Sequence, residues 1–416
     1  MTQPPIYKRT NCRVCHSENL TGVLKFGSTP LANAFLTEKQ VDLEEKYYPL
    51  EVNFCNSCTF LQLGHSVSSE LLFSDYVYVS STSKVFIDHF VRFADKAVKK
   101  LNLRKDSLVI DIGSNDGILL RPFKAKGIRV LGIEPAKKIA AVAKKEGIDT
   151  EVEFMSKKVA SAIKTKYGKA DLITATNVFA HIDDLDEIIL AVKMLLKKDG
   201  VFMIEAPYLI DFIQKRYFDL VYHEHMSYWR GETLQRIFER FDMQVIDVEK
   251  VPVHGGSIRV YVSEKGNNQK IQSSVQKFIN KERTVKLNKI NTYTNYAKEI
   301  EKNKISLINL LYKLKKSGKK IVGYGAPAKG NTMLNYFNIG RDSLDYIVDD
   351  SQWKQGLYSP GKRIPVKDFA FFSKDRVDYL LILAWNFAES IIEKNQSFAK
   401  KGGKFIVPVP RPKITK

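Results

Sequence analysis

The chain has 416 residues, of which 44% are hydrophobic and 27% charged, so its composition is that of a globular protein with room for two or three domains. The longest apolar run, Tyr379 to Trp385, is far too short to cross a bilayer, and we expect no membrane partner. The formal charge of +20 would suit a nucleic-acid ligand, but the lysines are spread along the chain, which argues against a dedicated nucleic-acid reader.

Four cysteines near the start form two CxxC knuckles, Cys12 with Cys15 and Cys55 with Cys58. Four thiolates in tight turns are the ligand set of one structural Zn²⁺ ion. Two disulfides are the alternative, but the segment from Met1 to Thr10 is polar and has no apolar signal sequence, so we expect a cytoplasmic protein with reduced thiols. His16 is a further imidazole beside the first knuckle, and we assign it to the surface of the site.

Strand-like and helix-like stretches alternate after residue 101. The expected strands are Ser107–Asp111, Arg129–Glu134, Asp171–Ala175 and Val201–Glu205, and the expected helices are Ala136–Glu146 and Asp186–Leu196. This alternation predicts a doubly wound, mostly parallel sheet. The stretch from Gln269 to Lys316 is mainly helical in pattern, and a second series of strands follows it at Lys320–Gly325, Asp345–Asp349, Tyr379–Leu383 and Lys404–Pro408. The series predicts a third, α/β domain.

A glycine turn follows the first of these strands, with the sequence Asp111-Ile-Gly113-Ser-Asn115-Asp-Gly117. It resembles the first motif of class I S-adenosylmethionine-dependent methyltransferases, whose glycines let the backbone approach the cofactor. A dinucleotide site is the rival interpretation, but the glycine spacing departs from G-x-G-x-x-G.

Two later strand ends carry further candidate cofactor residues. Glu134 can accept both hydroxyls of a ribose, although a surface glutamate is the plain alternative. Asn177 opens a segment that reaches His181 at the same carboxyl edge of the sheet, where ligands of such folds bind.

The densest chemistry lies between Val221 and Trp229, where Tyr222, His223, Glu224 and His225 are consecutive. Histidine titrates near neutrality, and a neighbouring carboxylate or tyrosine can orient it, so acid/base catalysis is our preferred interpretation. A metal site at His223 and His225 lacks an obvious third ligand. A packing cluster beside aromatic residues is the other alternative.

Together, several motifs resemble one family over nearly the whole chain. They are the cysteine knuckles, the glycine turn, the YHEHMSYW string, the run from His254 to Arg259, and the run from Gly323 to Asn331. The chain looks like the zinc-containing nucleotide-sugar C-methyltransferases of deoxysugar biosynthesis.

The resemblance implies an α/β fold with a small N-terminal zinc-binding domain (residues 1–75), a central class I methyltransferase Rossmann-like domain (76–255, with catalytic segment 221–229) and a C-terminal second Rossmann-like α/β domain (256–416). It implies S-adenosylmethionine and one structural Zn²⁺ as cofactors. The implied partner is a nucleotide-linked 4-keto-deoxyhexose, thymidine diphosphate-linked in most of the family, methylated at carbon 3. No nucleic acid or membrane is expected, and the oligomeric state stays open, with a monomer as one option.

By the same resemblance, His225 is the general base, and Tyr222, Glu224, His181 and Tyr76 line the sugar site. From the residues alone, Tyr76 would pass for a packed aromatic of a strand.

The third domain is expected to help hold the nucleotide diphosphate, with Lys329 on a glycine turn and with His254 and Arg259 as further substrate-binding candidates. A purely structural strand-to-helix turn at Lys329 is the alternative. Two other function classes remain at this point. One is a methyltransferase acting on nucleic acid or another small molecule, and the other is a noncatalytic zinc protein that mediates interactions.

Overall fold

The structure is a computed structural model that describes residues 5–73, 81, 84–253 and 255–416. These residues form three units in the predicted chain order, and the expected α/β architecture is confirmed. Two candidate site residues, Tyr76 and His254, lie outside the described residues. Within the described ranges, no helix combines the length and apolar character that a membrane span requires.

The N-terminal unit is a small β structure that carries the cysteine knuckles. Its elements are β1 (Ile6–Lys8), β2 (Leu20–Thr29), a 3-10 turn (Glu38–Gln40), β3 (Tyr48–Cys55), β4 (Leu61–Leu63), β5 (His65–Val67) and α1 (Ser69–Phe73). Strands β2, β3 and β4 pair antiparallel in sequence order, and β1 pairs with β5. Cys55 ends β3 and Cys58 lies before β4, so the second knuckle is the turn of a hairpin.

The central unit alternates helices and strands. Its elements are α2 (Lys84–Leu101), β6 (Leu108–Ile112), α3 (Leu120–Ala125), β7 (Arg129–Ile133), α4 (Lys137–Lys145), β8 (Thr150–Glu151), α5 (Lys157–Tyr167), β9 (Ala170–Thr176), a 3-10 turn (Phe179–His181), α6 (Leu185–Leu195), β10 (Leu196–Pro207), α7 (Leu209–Gln214), a 3-10 turn (Phe218–Leu220), β11 (Ser227–Tyr228), α8 (Gly231–Glu239), β12 (Met243–Val251) and β13 (Ser257–Glu264).

Seven of these strands form one sheet in the order β8-β7-β6-β9-β10-β13-β12. Only β13 runs antiparallel to its neighbours. Successive strand residues point to opposite faces, so Val109 and Met203 pack in one apolar cluster with α2, while Ile110 and Ile204 pack in the other with α6. Helices therefore cover both faces, and the loops at the carboxyl edge are left to bind ligands.

The position of β13 changes one predicted boundary. The expected division at residues 255 and 256 falls between β12 and β13, which pair along eight residue positions from Met243↔Glu264 to Val251↔Ser257. Because β13 is hydrogen-bonded between β10 and β12, it belongs to the central sheet, and the central unit extends to Glu264.

The C-terminal unit begins with two long helices and contains a second parallel sheet. Its elements are α9 (Ser273–Thr284), α10 (Ile290–Lys316), β14 (Ile321–Tyr324), α11 (Ala328–Phe337), β15 (Ile347–Val348), β16 (Val366–Lys367), α12 (Phe369–Lys374), β17 (Tyr379–Ile382), a 3-10 turn (Trp385–Phe387), α13 (Ala388–Lys394), α14 (Gln396–Lys400), β18 (Lys404–Val407) and β19 (Lys413–Thr415). The order β16-β15-β14-β17-β18-β19, with only β19 antiparallel, is that of a Rossmann-like sheet.

One strand of the central unit completes the N-terminal sheet. Strand β11 pairs antiparallel with β4, with Ser227 opposite Gln62 and Tyr228 opposite Leu61. The segment with the clustered tyrosine and histidines is therefore attached to the unit that carries the cysteines.

Candidate active site

A cavity of about 560 Å³ opens at the carboxyl edge of the central sheet. All three units line it. The N-terminal unit contributes Asn33, Ser69, Glu70 and Phe73, the C-terminal unit contributes Lys329, Lys354, Asn386 and Phe387, and the central unit supplies the loops after β6, β7, β9 and β10. The sequence-predicted residues on its lining are Gly113, Asn115, Glu134, Asn177, His181, Tyr222, His225 and Lys329.

The glycine turn after β6 is built for close backbone contact. Gly113 and Asn115 have φ angles of 66° and 50°, in the left-handed region. A Cβ atom on Gly113 would lie 2.8 Å from the Val178 side chain, so packing within the protein already requires glycine there. Gly117 has a φ of 79°, and a Cβ atom there would collide with the Ile148 side chain, so glycine is required at this position too. Gly117 is not among the described residues that line the cavity.

Glu134 ends β7 with its carboxylate held in place by backbone amides. The Asn115 amide donates to Oε2 at 3.0 Å and the Ala136 amide donates to Oε1 at 2.8 Å. Burial raises the pKa of Glu134, and the two amide hydrogen bonds oppose that shift. The carboxylate lines the cavity with a fixed orientation, which fits the recognition of paired hydroxyl groups.

Asp111 is not among the described lining residues. It is buried and accepts a hydrogen bond of 2.6 Å from the Thr174 hydroxyl of β9, while burial raises its pKa to about 7. Its observed contact ties neighbouring strands together beneath the glycine turn.

Asn177 follows β9 with a φ of 57°. The backbone N–H of Asn177 donates to the backbone carbonyl of Glu205 at 2.7 Å, which fixes the turn. Its side-chain Oδ1 is buried at the cavity without a hydrogen-bond partner among the described residues. An orphaned polar atom at this edge fits a bound polar ligand, because buried acceptors are rarely left unpaired. Together with Glu134 and the glycine turn, it makes this end of the cavity suitable for S-adenosylmethionine.

Tyr222 and His225 form a hydrogen-bonded pair and both line the cavity. His225 Nδ1 lies 2.7 Å from the Leu220 carbonyl oxygen, and Nε2 lies 2.8 Å from the Tyr222 hydroxyl. A carbonyl only accepts, so Nδ1 carries the proton and Nε2 presents its lone pair. The arrangement gives an imidazole whose basic nitrogen accepts a hydrogen bond from the Tyr222 hydroxyl, and both residues line the cavity.

His181 stacks on His225 with ring centroids 5.1 Å apart. On its other face the Phe73 ring stacks at 5.6 Å, so His181 lies between the central base candidate and the N-terminal unit. The structure thus brings Tyr222, His225 and His181 together.

Glu224 and His223 both contact the N-terminal unit. Glu224 is buried and accepts a 2.6 Å hydrogen bond from the Asn33 side chain, which itself lines the cavity. His223 packs edge-on against Tyr48, and its burial lowers its pKa to about 4. In the part of the chain that the structure describes, the cysteine cluster is the only group of three or more close metal-ligand side chains, so a second metal site at His223 and His225 has no support.

Lys329 lies at the C-terminal unit's end of the cavity. Its ammonium group contacts the Asn386 side chain and lies 4.6 Å from the centre of the Trp385 ring. Burial lowers its pKa to about 8, while the charge of Asp219 opposes that shift. Lys354, for which the sequence left a site edge and a solvated loop equally open, also lines the cavity and donates to the Ala326 carbonyl at 2.8 Å.

Arg259 does not reach the described cavity lining, contrary to the expected substrate role. Its guanidinium is buried, pairs with Glu205 at 2.8 Å and Glu249 at 3.1 Å, and stacks over Phe93. These contacts occupy it within the central sheet. No local pattern separated this buried arginine from a ligand-binding one.

The four cysteines converge as a metal site requires. All four Sγ atoms lie within 4.8 Å of one another, with Cys12 to Cys58 at 3.5 Å and Cys15 to Cys55 at 3.6 Å. A tetrahedral Zn²⁺ ion with Zn–S bonds of about 2.3 Å needs sulfur atoms about 3.8 Å apart. The cluster fits a structural Zn²⁺ ion. The four thiolates would fill all four coordination positions and leave none for water.

Three family profiles match successive parts of the chain: a candidate zinc binding domain at residues 12–73, a methyltransferase domain at 85–248 and a C-methyltransferase C-terminal domain at 252–410. The C-methyltransferase NovU of Streptomyces niveus is 35% identical over 97% of this chain and 96% of its own length. A ubiquinone biosynthesis O-methyltransferase of Pelagibacter ubique is 28% identical over 34% of this chain and 56% of its own. The solved structure of magnesium protoporphyrin IX methyltransferase from Synechocystis superposes with a TM-score of 0.35, covering 47% of this chain and 92% of that one at 14% identity.

Proposed function

This chain belongs to the family of zinc-containing, S-adenosylmethionine-dependent C-methyltransferases, and on that premise we propose that it methylates carbon 3 of a nucleotide-linked 4-keto-deoxyhexose. A sugar carbon is a poor nucleophile until a proton is removed from it. The adjacent ketone makes this proton acidic, because the electron pair left on carbon can move onto the carbonyl oxygen and form an enolate. The enzyme therefore needs a base for the carbon and a donor for the oxygen.

The single observation that carries the proposal is the hydrogen-bonded series from the Leu220 carbonyl through His225 to Tyr222. It supports His225 Nε2 as the base, since the Leu220 carbonyl fixes the tautomer that leaves Nε2 without a proton. When a sugar enters, the proton on its carbon 3 takes the place of the Tyr222 hydroxyl as the partner of His225 Nε2. The released hydroxyl can then donate to the oxygen on which negative charge develops.

The neighbouring residues support the same assignment. His181 stacks on the base and lines the cavity, so it is placed to contact the sugar or its oxygen. Glu224 acts by holding Asn33 at the cavity wall. At the other end, Glu134, Asn115 and Asn177 would hold S-adenosylmethionine, which supplies an electrophilic methyl group when bound.

The two lysines at the C-terminal unit's end support a nucleotide diphosphate as the anchor of the sugar. Lys329 and Lys354 both line the cavity near the turn after β14. Two cations at one end of a cavity attract phosphate oxygens, while the histidines at the other side meet the sugar. We assign thymidine as the nucleoside of this nucleotide from the family resemblance.

The proposal can be tested with a small panel of 4-keto-6-deoxy sugar nucleotides that differ in their nucleobase. Incubation with methyl-labelled S-adenosylmethionine should add one methyl group by mass spectrometry, and NMR should locate it on carbon 3. The matched control is the sugar nucleotide whose ketone is reduced to a hydroxyl, which should not react because no enolate can form. Methylation of that control, or methyl transfer to an oxygen, would contradict the proposal.

A further inference from the structure

We propose that Arg13, inside the first cysteine knuckle, is a positioning residue that holds the His181 turn against His225 through Asp183. The inference rests on the proposed function, because it assigns importance to the relative positions of these two histidines. Arg13 is not itself among the residues that line the cavity, whereas its partner Asp183 is.

The Arg13 side chain is fully buried and every end of its guanidinium is engaged. Nε and one terminal nitrogen both lie 3.0 Å from Asp183 Oδ1, and the same terminal nitrogen donates to the Ser66 hydroxyl at 2.7 Å. The other terminal nitrogen donates to the Leu63 carbonyl at 2.8 Å. A planar guanidinium with several fixed partners holds a carboxylate in both distance and direction.

Asp183 belongs to the central unit, yet its observed side-chain partners come from the N-terminal unit. Besides Arg13, the Tyr7 hydroxyl and the Arg9 guanidinium contact Oδ2, and the Ser66 hydroxyl donates to Oδ1 at 2.6 Å. A carboxylate surrounded by donors from one unit docks the two units at a defined place. Removal of a partner would leave a buried charge incompletely compensated.

The chain from Asp183 back to His181 has little freedom. His181 ends a 3-10 turn, and Asp184 caps α6 by accepting the Glu187 amide at 3.0 Å. Asp183 therefore lies between a stacked imidazole and a capped helix, and a shift of its carboxylate would move His181 relative to Phe73 and His225.

The same knuckle residue also holds the segment that carries the base. The Arg13 backbone amide donates to Gln62 Oε1 at 2.7 Å, and Gln62 on β4 lies opposite Ser227 of β11. In addition, the Leu63 amide donates to the Met226 carbonyl at 3.0 Å, directly after His225. Arg13 is thus connected indirectly to both histidines. Its side chain binds Asp183, which follows the His181 turn, and its backbone amide binds β4, which pairs with the strand after His225.

A second ionic contact of the same knuckle supplies a control. His16 contacts Asp186, and Arg240 pairs with Asp186 at 2.8 Å, at the protein surface. The His16 contact joins the same two units but leads to α6, and the Arg240 pair lies within the central unit, between α8 and α6. Because His16 has a φ of 60°, asparagine is a suitable replacement, since it tolerates the left-handed region.

The test compares Arg13→Gln, Asp183→Asn, their double variant and the control His16→Asn. For each, zinc content is measured by elemental analysis, cofactor affinity by calorimetry, and kcat and KM with the reactive 4-keto sugar nucleotide. Hydrogen–deuterium exchange followed by mass spectrometry reports the protection of residues 178–184. Asp183→Asn changes neither knuckle, so it remains informative if Arg13→Gln loses zinc or fails to fold.

We expect Asp183→Asn to keep one zinc per chain and cofactor affinity within about threefold, while kcat falls about 10- to 100-fold, since a displacement near 1 Å can have that effect. Protection of residues 178–184 should fall in Arg13→Gln and in Asp183→Asn but not in His16→Asn. The kcat of the double variant should be no lower than that of the poorer single variant. Unchanged kcat and unchanged protection in Asp183→Asn would overturn the inference, as would additive losses in the double variant. If no sugar nucleotide reacts with the wild-type protein, the proposed function fails. The hydrogen–deuterium exchange of residues 178–184 still decides whether Arg13 and Asp183 hold the His181 turn.

Discussion

The pair of Tyr222 and His225 makes a prediction that separates two roles of one hydroxyl group. His225→Asn removes the nitrogen that would accept the carbon-bound proton. General-base catalysis by a positioned side chain contributes about 10²- to 10⁴-fold, so kcat should fall by that factor, equivalent to about 3 to 5 kcal/mol of barrier.

Tyr222→Phe removes the 2.8 Å hydrogen bond to Nε2 while keeping the ring. If the hydroxyl only orients the imidazole, it contributes about 1 kcal/mol, and kcat should fall about fivefold. If it also donates to the oxygen of the developing enolate, the loss should reach about 10²- to 10³-fold, as for other donors at such an oxygen. Because the hydroxyl becomes free when the substrate reaches Nε2, we expect the larger loss.

The assay should follow the two chemical events separately. Exchange of the proton on carbon 3 with deuterated solvent, measured by NMR without the methyl donor, reports deprotonation. Single-turnover methyl transfer with labelled donor reports the whole reaction. Both should decline together in Tyr222→Phe and His225→Asn, while calorimetry should find cofactor affinity unchanged.

The double variant provides the refutation. If both residues serve one proton transfer, the double variant should be little worse than His225→Asn alone, because groups that act as a unit give strongly non-additive losses. Fully multiplied losses would mean that Tyr222 acts independently of His225. Undiminished exchange and turnover in His225→Asn would show that another group is the base.

Three further predictions concern the cofactor, the zinc site and a buried imidazole. Glu134→Gln leaves one of the two backbone amides without its acceptor and turns a donor toward the cofactor, so S-adenosylmethionine should bind about tenfold more weakly by calorimetry; an unchanged Kd would contradict the assignment. Removal of zinc, or Cys58→Ser, should add an early unfolding transition in scanning calorimetry and abolish turnover. Added zinc should restore the stability and the turnover of the metal-free wild type. Metal-free protein that stays fully folded but loses only the chemical step would argue against a structural ion. The folded-state pKa of His223, about 4, lies below the ordinary value near 6.5, so its stabilising effect is present above pH 6.5 and is lost as the pH falls toward 4. Wild-type protein should therefore lose up to about 3 kcal/mol more unfolding free energy over that range than His223→Gln, as measured by urea titration, and equal losses would refute the role of this group.

The sequence predicted the elements whose signals are local. The buried run of β6 followed by a glycine turn, and the acidic residue that ends β7, are each readable within a few residues, and Gly113 and Glu134 both line the cavity. The cysteine knuckles were equally readable, because each pair lies within one turn. Tyr222 and His225, which are hydrogen-bonded to each other, are also close in sequence.

Other features depend on pairings between distant segments. Strand β13 looked like the start of a new domain because its place between β10 and β12 leaves no trace in its own sequence. Arg259 looked available for a ligand, but Glu205 is 54 positions away and only the sheet register brings the two together. Asn33 reaches the cavity from the N-terminal unit, so no motif in the central domain could reveal it.

With His225 as the proposed base, the attachment of its segment gives a reason for joining a methyltransferase core to two further units. The Phe218–Leu220 turn precedes His225, and there the Asp219 carboxylate accepts a hydrogen bond from the Trp385 indole of the C-terminal unit. After His225, β11 pairs with β4 of the N-terminal unit. The orientation of His225 depends on the Leu220 carbonyl, which lies next to the first attachment, and on the strand that forms the second. A central unit alone would leave both ends of this segment without these partners, so the proposed base would lose the fixed geometry that our proposed proton transfer from carbon requires.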